Sequence, residues 1–210
     1  MSVAMYHIHI KTDKVNEVKA ALIEWLEDKH DRKPIILSNQ DSSLPMFDHA
    51  IPTQFALCHL HEEWVTVLHD SYEQLMELTS TLSSRFNTQV IHALGQSTVD
   101  TYHLNIFQEG HLLRKFDVGE GYDGIEQYGE PLSFEKDPVN HTVVLAEEDS
   151  NFFDYQDMKE YCLYFGLDIL VDPSEKDGFW EVIKVQKDPT HVAHKTSLIQ
   201  KIFLRGRKKR

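Results

Sequence analysis

The stretch that decides the fold is residues 55–118, FALCHLHEEWVTVLHDSYEQLMELTSTLSSRFNTQVIHALGQSTVDTYHLNIFQEGHLLRKFDV. Its first part, residues 55–61, carries apolar side chains at both parities, which predicts a strand buried at least partly on two faces. The β-branched and aromatic run at 64–69 predicts a second strand. The polar pair Glu62 and Glu63 separates the two strands and is expected to turn the chain.

A helix is predicted next. Ser71 and Gln74 form the Ser-x-x-Gln pattern of a capping box, which marks a helix N-terminus. Apolar residues then recur every three or four positions, at Leu75, Leu78, Leu82 and Phe86. This spacing is typical of a helix lying on a sheet. Asn87 predicts the end of the helix, because Asn tolerates the left-handed conformation.

Three further strands are predicted at 89–94, 99–107 and 111–118. In the second of them, His103 and Asn105 alternate with apolar neighbours, the pattern of a half-solvated strand. A short turn that contains Gly110 joins the last two strands into a hairpin. The stretch as a whole predicts an α+β fold, with a mainly antiparallel sheet and helices packed on one face.

The remainder of the chain adds shorter signals. They are a strand at 5–10, a helix at 13–29, a short strand at 34–37, an apolar run of ambiguous type at 142–146, a helix from Asp154 to Gly166, a strand at 179–185 and a helix at 195–204. Residues 119–138 contain four glycines and two prolines, which favours either a linker or a surface loop.

Three regions follow from these signals. Residues 1–135 are predicted to form the main α+β domain. Residues 136–204 are predicted to be either a small C-terminal α/β subdomain or a continuation of the same domain. Residues 205–210 are a basic tail.

The charge is distributed unevenly. The chain has 210 residues and a net charge of -13, but its last ten residues hold six Lys or Arg and no acidic group. The first 200 residues therefore carry 15 Lys or Arg against 34 Asp or Glu, a net charge of -19. Such a body is expected to repel nucleic acid and to favour a basic protein partner. Nucleic acid remains a partner only through the tail, Arg205–Arg210.

The location expected from the sequence is the cytosol. No signal peptide is recognised at the start, and no apolar run reaches the about 20 residues needed to cross a bilayer. Cys58 and Cys162 lie within apolar patterns, which favours buried free thiols in a reducing compartment over a disulfide.

Histidine supplies one alternative function. The pairs His7/His9 and His59/His61 each lie two residues apart, so each pair shares one face of a strand. If the two strands were neighbours, four imidazoles could converge on a metal ion. No carboxylate or cysteine spacing completes a known metal site, and solvent-facing or hydrogen-bonded histidines are the favoured interpretation.

Catalytic motifs are not recognised in the sequence. It contains no Gly-x-Ser-x-Gly, no His-Glu-x-x-His and no glycine-rich phosphate loop between a strand and a helix. Cys58 and His59 point to opposite faces of a strand and do not form a dyad. We therefore expect no catalytic residue and no cofactor.

Acidic residues interleaved with tyrosines predict a surface for a basic protein. The candidate partner-binding residues are Glu62, Glu63, Asp117, Glu120, Tyr122, Asp123, Glu126 and Tyr128.

Four motifs carry a resemblance to known proteins. They are the strand Trp64-Val65-Thr66-Val67, the helix ending in Leu82-Ser83, the strand start Asp100-Thr101-Tyr102 with its Gly110 hairpin, and the segment 155–167 closing in Phe165-Gly166-Leu167. Together they resemble a group of bacterial proteins without an assigned function, over about half of the chain. The motifs are structural, so the resemblance transfers no catalytic residue. Small acidic α+β proteins of this kind are often immunity proteins or other partner-binding proteins.

The sequence thus favours a non-enzymatic cytosolic bacterial protein that binds another protein, such as an immunity protein that neutralises a basic toxin through an acidic face. A metal-dependent enzyme or sensor that uses the histidine pairs is the first alternative. An adaptor that binds nucleic acid or a membrane through residues 201–210 is the second. The sequence leaves the oligomeric state open.

Overall fold

The computed structural model describes residues 4–38, 45, 48–119, 122, 124–135, 153–170 and 180–186. These residues form nine strands and three helices. In chain order they are β1 (Ala4–Lys11), α1 (Val15–His30), β2 (Ile35–Ser38), β3 (Gln54–His61), β4 (Trp64–His69), α2 (Met76–Phe86), β5 (Gln89–Gln96), β6 (Thr101–Gln108), β7 (His111–Val118), β8 (Glu126–Tyr128), α3 (Tyr155–Tyr164) and β9 (Glu181–Lys184).

All nine strands belong to one sheet, in the order β2-β9-β3-β4-β1-β5-β6-β7-β8. Every neighbouring pair is antiparallel. The α+β class with a mainly antiparallel sheet is therefore confirmed.

The first face of the sheet is covered by α1 and α2. The apolar stripes predicted from the sequence supply Val18 and Leu22 from α1 and Leu78 and Leu82 from α2, all 2% exposed or less. They pack against strand residues such as Ile8 in one apolar core. Helix α2 ends as predicted at Asn87, whose φ of 49° is left-handed.

The second face carries α3. Its residues Met158, Tyr161 and Cys162 pack against Ile91 and Phe116 of the sheet. The predicted start of this helix is confirmed, because the Asp154 side chain accepts hydrogen bonds from Gln156 N and Asp157 N in a capping box. Gly166 follows the helix with a φ of 79°, a conformation that favours glycine. The helices thus occupy both faces of the sheet.

The C-terminal region contributes a strand to the interior of the sheet. Strand β9 lies between β2 and β3, with Ile183 opposite both Ile36 and Phe55. Trp180 and Val182 pack with Ala56, Cys58 and Leu68 in a smaller apolar cluster. The predicted elements at 142–146 and 195–204 and the tail at 205–210 lie outside the described residues.

Four details of the sequence prediction are wrong. Helices were expected on one face of the sheet, but α3 packs on the face opposite α1 and α2. Helix α2 begins at Met76, and its N-cap, Leu75, makes no side-chain capping bond, so Ser71 and Gln74 do not form a capping box. Strand β6 is buried on both faces, including Asn105 at 0% exposure, rather than half-solvated. The loop predicted at 119–138 contains the edge strand β8.

Both cysteines are buried free thiols, as expected. None of the helices among the described residues has the length and apolar character that crossing a membrane requires.

Candidate functional site

Polar side chains from four strands and from the turn before α2 meet on the first face of the sheet, at the end where the chain enters α2. Their strand positions share that face because the register pairs His92 with Asn105 and His103 with Asp117. We call the following set the buried polar network: His69, Gln74, His92, His103, Asn105 and Asp117. Its five strand residues are between 0% and 8% exposed.

Asp117 is the anionic centre of this network. Its Oδ1 lies 2.7 Å from His103 Nδ1 and accepts a hydrogen bond of 2.9 Å from Gln74 Nε2. Its Oδ2 forms an ion pair with the Lys115 ammonium. Because a carboxylate only accepts, His103 carries a proton on Nδ1. The Tyr122 ring contacts His103 in an edge-to-face arrangement, with 5.7 Å between the ring centroids.

The pKa of Asp117 reflects this setting. Burial alone would raise it, but the hydrogen bonds from His103 and Lys115 outweigh burial and lower it below the ordinary value. Asp117 is therefore ionised at neutral pH, and its charge is balanced by groups within hydrogen-bond distance.

The second part of the network is a pair of imidazoles. His69 Nε2 and His92 Nε2 are 3.0 Å apart, although β1 lies between their strands. Burial, reinforced by neighbouring imidazoles, lowers the pKa of His69 well below the usual value and lowers that of His92 to about 3. Both rings are neutral at physiological pH.

Gln74 is available to the network because the turn before α2 is held by other residues. Asp70 accepts hydrogen bonds from Thr53 N and Gln54 N, at 2.9 and 3.2 Å. Ser71 Oγ donates to Ala50 O at 2.7 Å. The chain therefore continues past the end of β4 before it enters the helix, and the Gln74 amide forms hydrogen bonds with Asp117 and Asn105.

Gln74 also lines a surface cleft between the end of α1 and the start of α2. The cleft has a volume of about 270 Å³ and mostly apolar walls, which include Trp25, Ile51 and Met76. Gln74 is half-buried. The buried polar network therefore meets the surface of the molecule at this residue.

The chemistry of the network is that of hydrogen bonding and charge balance. His103 and Asp117 have the relation of a histidine and its orienting carboxylate. Among the described residues, however, no serine, threonine or cysteine is hydrogen-bonded to His103, which donates from Nδ1 to Asp117 Oδ1. Gln74 Nε2, which donates to the same oxygen, lies 3.0 Å from His103 Nδ1. The dyad therefore lacks an attached nucleophile in this part of the chain.

The predicted partner-binding residues are dispersed. Glu62 and Glu63 are exposed at the β3–β4 turn, where Glu63 pairs with Lys11 at 3.4 Å. Asp117 and Tyr122 belong to the interior site just described. Glu126 and Tyr128 are exposed on the edge strand β8, and Glu120 and Asp123 lie outside the described residues.

Exposed acidic and aromatic residues occur on both sides of the sheet at its β8 edge. Glu126 and Tyr128 lie opposite Asp117 and Lys115 on the first face, whereas α3 lies on the second face. Residue Phe134, in the segment after β8, packs on Tyr164 of α3 with ring centroids 4.8 Å apart, and Ser133 Oγ lies 3.0 Å from Tyr164 OH. We call the exposed residues of β8, this segment and α3 the acidic edge surface. They are Glu126, Tyr128, Glu130, Glu160, Leu163 and Tyr164.

Three carboxylates of this surface lack an ion-pair partner among the described residues: Glu126, Glu130 and Glu160. The same holds for Glu27 and Asp28 on α1, whereas Glu24 and Glu77 pair with Arg85 and Lys29. The exposed apolar surface here is considerable, since Tyr128 is 58% and Leu163 48% exposed.

The structure does not bring the four histidines of the two pairs together: His61 lies near enough to His9 to lower the pKa of His9, but His59 does not join them. His7 and His9 are buried with ring centroids 5.7 Å apart, and His9 Nδ1 lies 3.1 Å from Thr66 Oγ1. His59 is exposed, and β4 separates β1 from β3. No group of three or more His, Cys, Asp or Glu suited to a metal ion occurs in the part of the chain that the structure describes.

Sequence reasoning did not single out His69, His92, His103 or Asn105. Each is an isolated polar residue in an otherwise apolar strand, and only the register of the sheet brings them together. The apolar neighbours of His92, His103 and Asn105 are the one local signal, and in β6 this alternation predicted a half-solvated strand rather than a buried one.

Comparison with known proteins gives no relative: no family model matches the chain, and no curated protein or solved structure matches it significantly. The resemblance to a bacterial group stays a prediction.

Proposed function

We propose that this chain is a protein-binding module that recognises a basic partner through the acidic edge surface. The observation that carries the proposal is the concentration of carboxylates without ion-pair partners beside exposed aromatic and aliphatic side chains. Tyr128 and Tyr164 supply apolar contact area, and Glu126, Glu130 and Glu160 supply charge. Aromatic residues and complementary charge are the usual components of a specific protein interface.

The position of the surface supports the same proposal. Strand β8 is an edge strand and pairs on one side with β7. An edge strand offers backbone groups to an added strand, while neighbouring side chains select the sequence. The net charge of the chain, -13, favours the approach of a basic partner through long-range electrostatic attraction.

A narrower proposal is that the partner is a basic toxin and the chain its immunity protein. It rests on the resemblance described above. Purification of the chain together with the product of the adjacent gene tests it: a tight, inactive complex with a basic toxin is expected, and an adjacent product that is neither basic nor bound would overturn it.

The broader proposal is tested with random peptides displayed on phage and selected on the purified full chain. Enrichment of peptides rich in Lys or Arg together with apolar residues is expected. Their affinity should fall at least tenfold in the triple variant Glu126→Lys, Glu130→Lys, Glu160→Lys and should decrease with added salt.

The matched control is Asp13→Lys, Glu27→Lys, Asp28→Lys, which makes the same change in net charge on exposed residues at α1. It is expected to change affinity less than threefold, because screening limits its effect at this distance. Equal losses in the two variants, or enrichment of peptides without basic residues, would overturn the proposal.

A further inference from the structure

The hydrogen bonds of His69 and His92 fix the positions of their protons. The Ser71 amide donates to His69 Nδ1 at 3.3 Å, so this nitrogen carries a lone pair. Because the ring is neutral, its proton is on Nε2 and is donated to His92 Nε2 at 3.0 Å. His92 must then carry its own proton on Nδ1.

The amide orientations in the rest of the network are fixed by Asp117. Since the carboxylate only accepts, Gln74 presents Nε2 to it at 2.9 Å and turns Oε1 toward Asn105. Asn105 donates Nδ2 to this Oε1 at 3.1 Å. The unused atom of Asn105 is therefore its acceptor, Oδ1.

The two halves of the network end at complementary atoms. His92 Nδ1 and Asn105 Oδ1 are both buried and have no hydrogen-bond partner among the described residues. The two residues are directly opposed on β5 and β6, so their side chains share one face of the sheet. The two ring nitrogens of His92 point in nearly opposite directions. Since Nε2 points across β1 toward β4, Nδ1 points toward β6 and Asn105.

We propose that one buried water molecule binds between His92 Nδ1 and Asn105 Oδ1, accepting a hydrogen bond from the first and donating one to the second. Directly opposed side chains on antiparallel strands have Cβ atoms about 4.5–5.5 Å apart, so a group that bridges them must be small, as water is. Buried polar groups without protein partners are the usual binding sites of internal water.

The water completes a hydrogen-bond chain in which every donor points the same way. It runs from the Ser71 amide through His69, His92, the water, Asn105 and Gln74 to the Asp117 carboxylate. Hydrogen bonds aligned in this way polarise and strengthen one another, and they end here on an anion. This series of hydrogen bonds connects the turn before α2, which contains Ser71 and Gln74, to strands β5, β6 and β7.

Nuclear magnetic resonance of the full chain labelled with 15N-histidine tests this proposal at pH 7.5. Long-range proton–nitrogen correlations should show His69 protonated at Nε2 and His92 at Nδ1. The His92 Nδ1 proton should give a cross-peak to a long-lived water. Protonation of His92 at Nε2, or an Nδ1 proton without a water cross-peak, would overturn the proposal.

Variants supply an independent measurement. In Asn105→Leu the number of long-lived waters counted by oxygen-17 relaxation dispersion should fall by one, and the His92 cross-peak should be lost. The control Thr66→Val removes a buried hydroxyl from the opposite face and should leave both unchanged. An unchanged water count in Asn105→Leu contradicts the site. If Asn105→Leu fails to fold, the measurement on the unaltered protein decides alone.

Discussion

Arg114 and Glu135 form a buried, two-pronged ion pair: Arg114 Nε lies 3.0 Å from Glu135 Oε1 and Nη2 lies 2.6 Å from Oε2. Their side chains are 3% and 7% exposed. Arg114 Nη1 also donates to Gly129 O at 3.1 Å. This arginine therefore ties the segment that carries the acidic edge surface to β7.

Replacement of one partner should be strongly destabilising. We expect Arg114→Met to lower the free energy of unfolding by about 3–5 kcal/mol, because Glu135 is left as an unpaired buried charge. The double variant Arg114→Met, Glu135→Met should recover part of this loss. Urea unfolding measures both. The exposed pair supplies the control, Arg85→Met, which should have a small effect; an equal loss there would contradict the assignment.

Gly129 should tolerate no side chain. Its φ is 92°, and an added Cβ would collide with the carbonyl oxygen of Leu113. Gly124 has a similar φ of 83° but nothing within 4 Å of an added Cβ. Both alanine variants bear the cost of a left-handed residue, so the difference between them isolates the collision. We expect Gly129→Ala to be less stable than Gly124→Ala by about 1–3 kcal/mol. Equal thermal unfolding temperatures would show that β8 is not docked in this way.

Gln74 should matter more for stability than an ordinary residue before a helix. Gln74→Leu removes a donor from the ionised Asp117 and an acceptor from the Asn105 amide, and we expect a loss of about 2–3 kcal/mol in the free energy of unfolding. The exposed neighbour serves as the control, since Glu73→Leu should stay within about 0.5 kcal/mol. If the two variants unfold alike, the contacts of Gln74 contribute nothing.

Acid should destabilise the protein well above the range in which carboxylates titrate. The pKa values of His9, His69 and His92 are lowered by burial, the last to about 3. Below about pH 6.5 the unfolded chain binds protons that these folded imidazoles cannot. The unfolding free energy therefore falls with pH, by about 2 kcal/mol per histidine between pH 7 and pH 5.

Urea unfolding across this pH range measures the effect as a slope. His92→Gln should reduce the slope by about one bound proton, and the exposed His59→Ala should leave it unchanged. Asp117 does not contribute in this window, because its lowered pKa places its loss of stability at more acidic pH. A stability that is flat from pH 7 to pH 5 would exclude the neutral imidazole pair.

Local sequence patterns predicted most elements because each depends on neighbours in the chain. The apolar spacing of Leu75, Leu78 and Leu82 predicted a helix, and Asn87 predicted its end, since propensity and burial agree there. The start of α2 was predicted wrongly because Gln74 has a partner in Asp117, 43 residues away. Strand β8 was not predicted, because it too depends on a residue distant in the sequence: Arg114 donates to the backbone carbonyls of Tyr128 and Gly129.

The candidate site was less predictable than the fold. Asp117 was predicted to be part of an exposed acidic surface. In the structure it lies opposite His103 and is buried, with Gln74 and Tyr122 at this site. The alternation of residues along one strand cannot indicate such contacts from other parts of the chain. The three histidines of the network lie on three different strands. Their proximity depends on register across β4, β1, β5 and β6, which a single strand does not encode.

Strand β9 is inserted between β2 and β3, and this placement sets an order of assembly during synthesis. Of the described strands, β9 is the only one that pairs with β2, and it also covers the outer edge of β3. In a nascent chain on the ribosome, the edges of β2 and β3 that pair with β9 therefore stay unpaired until residue 184 has emerged from the exit tunnel. Prematurely terminated products that end before residue 181 would carry an open β3 edge, which marks them for chaperones and proteases.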